Sequence, residues 1–339
     1  MTQTDNPQVA LYTVNMPSAG SVTIDYGKTT NYGMKTWTQS TSTGGPVNIF
    51  VAGMLANTTY HMRASVEFDN GNTVNDVDQS FTTGPLPSYA QPLVFQATTA
   101  AGMTPQPGLK LLDSTAYGLI ITDLSGNILW TYHAPNVIQG VKMLPNGDFL
   151  MVIGANSSDL LSGPLPPGTD VEIREVNLGG YTVRSISLAT LNAELANAGC
   201  AECNVTLTDF HHDVTALPNG HWMVLANTTQ ALSSTRTPAL INAPPTTVLG
   251  DVIVDLDQYL QPHHRGAFQR RFFRRLVYSQ GPGLPERGQS ASTAGLGLAG
   301  HRAARPGGQH QFPVFRLCLP AVRLFDFQIG LFATSPRHP

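Results

Sequence analysis

Two cysteines and two histidines fall within 13 residues of one another, in Cys200-Ala201-Glu202-Cys203 and Asp209-Phe210-His211-His212-Asp213. Thiolates and imidazoles are the ordinary ligands of zinc, but this spacing fits no common structural finger. Neighbouring residues of a strand also point to opposite faces, so two adjacent imidazoles do not both easily point into one site. No metal and no cofactor is therefore expected. Cys200 and Cys203 read either as a local disulfide, favoured in an exported protein, or as two inert thiols. The histidines hold the chemistry, because an imidazole near neutral pH is a nucleophile, a general base or, once protonated, a donor to anionic oxygens. Taken singly, each ring reads more plainly as a packed or hydrogen-bonded residue. What makes His211 and His212 candidate catalytic residues is their place directly before the turn Leu217-Pro218-Asn219-Gly220.

That turn belongs to a repeat. Leu119 to Trp130 reads as strand, turn and strand about Asp123-Leu124-Ser125-Gly126, and Val141 to Val152 as a hairpin about Leu144-Pro145-Asn146-Gly147. Glu175 to Val183 echoes the first unit, Val214 to Leu225 the second, and Asp251 to Asp257 opens a third copy of the first. Repetition of short antiparallel units is how propeller blades protect their edges. The two Leu-Pro-Asn-Gly turns lie 73 residues apart, so an insertion is expected between about Ser187 and Thr208, with Ala189 to Ala198 as a short helix. In a propeller the histidines would sit at the inner end of a strand, near the central channel. Only two to two and a half blades are legible, whereas a closed propeller needs at least four.

Earlier in the chain, Val9–Val14, Ser21–Tyr26, Val47–Ala52, Tyr60–Phe68 and Val77–Thr83 alternate as half-buried strands do, and Asn70-Gly71 marks a hairpin between Glu67 and Val74. Gly53-Met54 with Thr58 and Tyr60, and Ser80 to Gly84, resemble strands of fibronectin type III modules. The expected fold is all-β: a fibronectin III/Ig-like sandwich over 1–85, a Pro-rich connector over 86–108, an incomplete β-propeller over 109–260, and an aberrant, poorly ordered tail over 261–339. Gly27-Lys28-Thr29 is no phosphate-binding loop, because Val22 stands where its first glycine belongs and no helix follows.

Charged residues make up 12% of the chain and the formal charge is −3, which gives no reason to expect nucleic acid or an anionic membrane as a general partner, and neither is expected. No apolar run is long enough for a spanning helix. Met1 to Gly20 has neither a basic nor an apolar leader region, so no signal peptide is read in the chain as given. The small net charge hides a break. Residues 1–260 carry eight basic and 20 acidic side chains, whereas residues 261–339 carry 11 arginines, no lysine, and only Glu286 and Asp326. The tail is either a basic arm or the product of a reading-frame shift near codon 260. Arginine without lysine, among scattered His, Pro and Gly, favours the shift.

The stretch from Tyr117 to Tyr132 (YGLIITDLSGNILWTY), Phe210-His211-His212-Asp213 with the following Leu217-Pro218-Asn219-Gly220, and Gly250 to Asp257 together resemble the bacterial arylsulfate sulfotransferases, over about Val9 to Leu260. The resemblance implies an exported, periplasmic or extracellular protein with an N-terminal sandwich and a six-bladed propeller. It implies sulfuryl transfer from a phenolic sulfate ester to a phenol through a transiently sulfurylated histidine, with no nucleotide donor. On this chain only the His-His-Asp motif carries over, making His211 or His212 an active-site histidine that assists the sulfuryl oxygens. The family's later motifs, including the segment of the nucleophilic histidine, are not found past residue 260. His263, His264, His301 and His310 sit in no matching context, and the chain is expected to be inactive as it stands. A non-catalytic binding or adhesion propeller is the alternative, and a quinone-dependent propeller dehydrogenase a weaker one, which His211-His212-Asp213 argues against.

Overall fold

The computed structural model describes residues 1–114, 117–134, 136–154, 171–198, 205–232, 246–262 and 322–324. Cys200, Cys203, Cys318, His263, His264, His301, His310 and nearly all of the Arg-rich tail lie outside the described residues. The fold is all-β, with multiple antiparallel sheets and, among the described residues, one helix and no closed barrel.

The first 82 residues form two facing sheets. One joins β1 (Thr2–Gln3), β2 (Ala10–Met16) and β6 (Gly45–Val51). The other is built on β3 (Gly20–Gly27) and β7 (Thr59–Phe68), with β4 (Met34–Lys35) and β5 (Gln39–Thr41) on β3, and β8 (Thr73–Asn75) and β9 (Gln79–Thr82) on β7. Alternation makes the sandwich: Val22, Ile24 and Tyr26 of β3, and Tyr60, Met62 and Ala64 of β7, all turn inward against Tyr12, Ile49 and Val51. The β7–β8 hairpin forms at Asn70-Gly71, but only Gly71 takes a positive φ, +83°. The Asn70 side chain instead accepts from Asn72 N at 3.0 Å, closing a three-residue loop.

Three further sheets follow as antiparallel meanders. The first holds β10 (Lys110–Ser114), β11 (Gly118–Thr122) and β12 (Ile128–Tyr132). The second holds β13 (Val137–Met143), β14 (Phe149–Gly154), β15 (Glu172–Val176) and β16 (Thr182–Ser187), and the helix α1 (Leu188–Asn197) leads out of it. The third holds β17 (Leu207–Ala216), β18 (Trp222–Leu232) and β19 (Thr246–Leu256), while β20 (Val322–Leu324) pairs with β10. Every residue of β11 and β14 is buried, as strands covered on both faces must be. The second and third sheets share one core around Leu150, Val152, Phe210 and Trp222, and the first and second share another around Leu119, Trp130 and Phe149. Blade-like sheets stacked face to face through such cores are a propeller-like arrangement.

The repeat units pair in the order second then first: the Pro-Asn-Gly hairpin supplies β13 and β14, and the Asn-x-x-Gly unit supplies β15 and β16. Their turns share one geometry. The residue opening the turn donates its N–H to the carbonyl four residues on, and the fourth residue donates back to the first, at Leu144, Leu217, Asp123, Asn177 and Asp257 alike. That fourth residue has a left-handed φ in every copy: Gly147, Gly220, Gly126 and Gly180, and in the last copy Leu260, at +63°. Leu260 is held there by burial in the core of the third sheet. The expected helix between the repeats is α1, capped by Ser187 Oγ accepting from Thr190 N at 3.1 Å, with Leu191 and Leu195 turned into the core between the second and third sheets.

The sandwich and the sheets are sewn together by the N-terminal segment. Gln8, fully buried, donates from Nε2 to Met54 O at 3.1 Å and to Ile128 O at 2.8 Å. Asn6 donates from Nδ2 to Thr131 O at 2.9 Å, and its own backbone N–H reaches Gly179 O at 3.0 Å. Val9 of this segment belongs to the core of the first two sheets, with Phe50, Ala52 and Leu55 of the sandwich packed against it.

Candidate functional site

His211, His212 and Asp213 sit in a bulge of β17. Phe210 and Val214, both buried, pin β17 in the core on either side. Phe210 pairs with Ala226 of β18 and Val214 with Val224, so three residues of β17 oppose the single residue Leu225. The extra length is taken up at His212, whose φ is +62°. Histidine is among the residues that tolerate this region, and a non-glycine residue there repays attention.

The bulge removes the regular alternation that would turn adjacent histidines apart. With alternation broken, the two rings stand perpendicular, 4.8 Å between centroids, and His211 Nδ1 lies 2.6 Å from His212 Nδ1. A hydrogen bond between these nitrogens needs a proton on one and a lone pair on the other. His211 Nε2 faces Asp251 Oδ1 of β19 at 3.4 Å, an ion-pair distance that is long for a hydrogen bond. A proton placed there by the carboxylate leaves His211 Nδ1 to accept from His212 Nδ1–H. The nitrogen outside the pair is then His212 Nε2, on the exposed ring. Burial holds the His211 pKa below its ordinary value, the neighbouring His212 adds to this, and Asp251 offsets part of it.

The strands of the second sheet support the bulge from beneath. Gln139 Oε1 accepts from His212 N at 3.2 Å. Gly140 lies so close that a methyl group on it would come 2.4 Å from His212 O. Lys142 Nζ pairs with Asp213 Oδ1 at 3.2 Å, and the same oxygen accepts from Val214 N at 2.9 Å. Asp209, fully buried, precedes the bulge on β17. The structure thus brings both candidate histidines together and adds Asp251, Gln139, Gly140 and Lys142. Asp251 was visible in the sequence only as part of a repeat. Gln139 and Gly140 carry no motif at all. Among the described residues, no group of three or more His, Cys, Asp or Glu is gathered as metal ligands would be. Nor is any described helix long and apolar enough to cross a membrane.

The arrangement offers a buried, neutral imidazole backed by a carboxylate and an exposed imidazole poised by it. Such a pair can hold a proton, pass one, or present N–H donors to an anion. In comparison with known proteins, the family described as Arylsulfotransferase (ASST) matches residues 87–260, just over half of the chain, and this span contains the whole of the bulge and its supports. No curated protein matches the chain.

Proposed function

The chain belongs to the arylsulfotransferase family, and from that membership we propose that its site handles the sulfuryl group of a phenolic sulfate ester bound for a phenol acceptor. The observation that carries the reading is the His211–His212 pair, set on a strained bulge inside the family-matched span. In transfer, the S–O bond to the phenol breaks and the leaving phenolate, with an ordinary pKa of about 10, takes the electron pair. The sulfuryl oxygens carry the negative charge, and cationic or N–H donors around them lower the barrier. His212 Nε2, exposed and outside the imidazole pair, is placed to donate to such an oxygen once the ring carries a second proton. His211, kept neutral by burial, orients His212 by accepting from its Nδ1–H, with Asp251 fixing the tautomer. These two histidines assist the oxygens, and the group that becomes sulfurylated is a different histidine.

In this reading the sandwich (1–85) and connector (86–108) support a partial propeller (109–260), and the mature protein works in the periplasm or outside the cell. Residues 261–339 supply no segment resembling that of the family's nucleophile, so the chain as it stands does not turn over. The test is a transfer assay with 4-nitrophenyl sulfate and phenol, run on this chain and on a protein read past codon 260 in whichever alternative frame continues the strand repeats. Turnover in the second alone, lost in His211→Ala and His212→Ala, supports the reading. Turnover that survives both substitutions, or no frame that continues the repeats, removes it.

A further inference from the structure

A cavity of about 260 Å³ opens where the sandwich meets the second sheet. Its sandwich side is the β4–β5 segment, with Trp37 and Gln39, and the face of β6, with Asn48 and Phe50; its other side is the β13–β14 turn, with Asn146 and Asp148. Junctions between folded units are where small-molecule sites preferentially lie, and walls of aromatic and apolar groups with a few convergent polar ones are their usual lining.

Three features narrow the ligand. First, the six-membered ring of Trp37 rests against Gly147, where a methyl group would come 2.2 Å from the indole, so the turn fixes an aromatic surface beside the cavity. Second, the polar groups are side chains that both donate and accept. Gln39 and Asn48 are exposed, and Asn146 braces Asp148 by donating to its Oδ2 at 2.9 Å. Third, the cavity has no dominant charge. Lys35 on its rim is already paired with Asp25 at 3.2 Å, and Asp148 stands opposite, which disfavours an anion such as a sulfate ester.

An apolar ring face beside amide and carboxyl groups that can meet vicinal hydroxyls is the chemistry that holds a sugar ring, which is itself apolar on its C–H faces and polar at its edge. We propose that the seam cavity binds a neutral saccharide, stacked on Trp37 and hydrogen-bonded through its hydroxyls to Gln39, Asn48 and Asp148. Burial and Glu175 raise the Asp148 carboxyl to about 6, so near neutral pH it can accept from a hydroxyl and in mild acid donate to one. The site is separate from the histidine bulge and does not depend on what that bulge does.

Saturation-transfer NMR on the full chain tests this, with the methyl glycosides of glucose, galactose, mannose and N-acetylglucosamine, plus maltose and cellobiose, and 4-nitrophenyl sulfate as the contrasting probe. At least one saccharide should receive saturation, with affinity about tenfold weaker in Trp37→Ala and in Gln39→Ala and unchanged in His211→Ala. Gln39 is an exposed surface residue, so its variant guards against a Trp37→Ala protein that fails to fold, and thermal melting checks both. The proposal is overturned if no saccharide receives saturation, if both variants retain it, or if 4-nitrophenyl sulfate is the probe that needs Trp37.

Discussion

Gly140→Ala isolates the packing that holds the histidine bulge. The backbone of Gly140 is not left-handed, so alanine costs nothing in conformation there. What it costs is space, since the new methyl would stand 2.4 Å from His212 O and 3.3 Å from Asp213 Cα. Carbon and oxygen at ordinary contact lie about 3.3–3.6 Å apart, so β13 and the bulge must separate by roughly 1 Å, at about 1–3 kcal/mol of overpacking. A shift of that size opens the His211 ring to water and weakens the pair, so the His211 pKa should climb back toward its ordinary value of about 6.5. Gly71→Ala is the matched control. Its φ of +83° makes alanine cost about 1–2 kcal/mol, yet nothing lies within 4 Å of the new methyl and the site is remote. Both variants should therefore unfold at lower denaturant than the parent, while only Gly140→Ala moves the His211 titration followed by proton NMR. Titration curves in Gly140→Ala that superimpose on those of the parent would refute the claim that β13 positions the bulge.

Replacing Gln8 with Leu strands Met54 O and Ile128 O in the seam and should cost about 2–4 kcal/mol in denaturant unfolding; a cost near zero would mean that the seam does not depend on this side chain. At Leu260, Ala loses buried surface and keeps the left-handed strain, whereas Gly loses slightly more surface and sheds about 1–2 kcal/mol of strain. Leu260→Gly should thus be at least as stable as Leu260→Ala, the reverse of the usual order, and an Ala variant clearly more stable than the Gly one would show that the turn is not strained. Asp148 binds its proton more tightly folded than unfolded, so its contribution to stability is complete below pH ~4 and is lost as pH rises through about 6. Asp148→Asn should raise the melting temperature at pH 7 and leave it unchanged at pH 4; a difference independent of pH would contradict this assignment.

The strands that could be read from the sequence are those whose burial follows their pattern. β3 and β7 alternate apolar and polar residues as a two-sheet sandwich requires, and the Pro-Asn-Gly and Asp-x-x-Gly turns announce themselves because only glycine takes their fourth position easily. Leu260 shows the limit of that signal, since tertiary burial there overrides the local preference. The seam was not legible: Asn6 and Gln8 look like surface residues of a leading segment, and their partners lie more than 100 residues away. The strands β4, β5 and β8 are two or three residues long and exposed or half-exposed, too short to leave a periodic trace. For the site, the residue types were readable and the geometry was not. Two adjacent histidines on a regular strand diverge, and only the bulge, set by Phe210 and Val214 pairing out of step with β18, turns them toward each other.

If His211 and His212 are, as proposed, the oxygen-binding half of a sulfuryl-transfer site, an aryl sulfate must contact them. Titrating 4-nitrophenyl sulfate into the full chain, while recording the imidazole proton resonances and the absorbance of released 4-nitrophenolate, decides whether it does. Binding should shift the His212 and His211 resonances along a common saturation curve, and no nitrophenolate should appear. Resonances of both histidines that stay fixed through saturation elsewhere on the protein, or steady release of nitrophenolate by this chain, would contradict it.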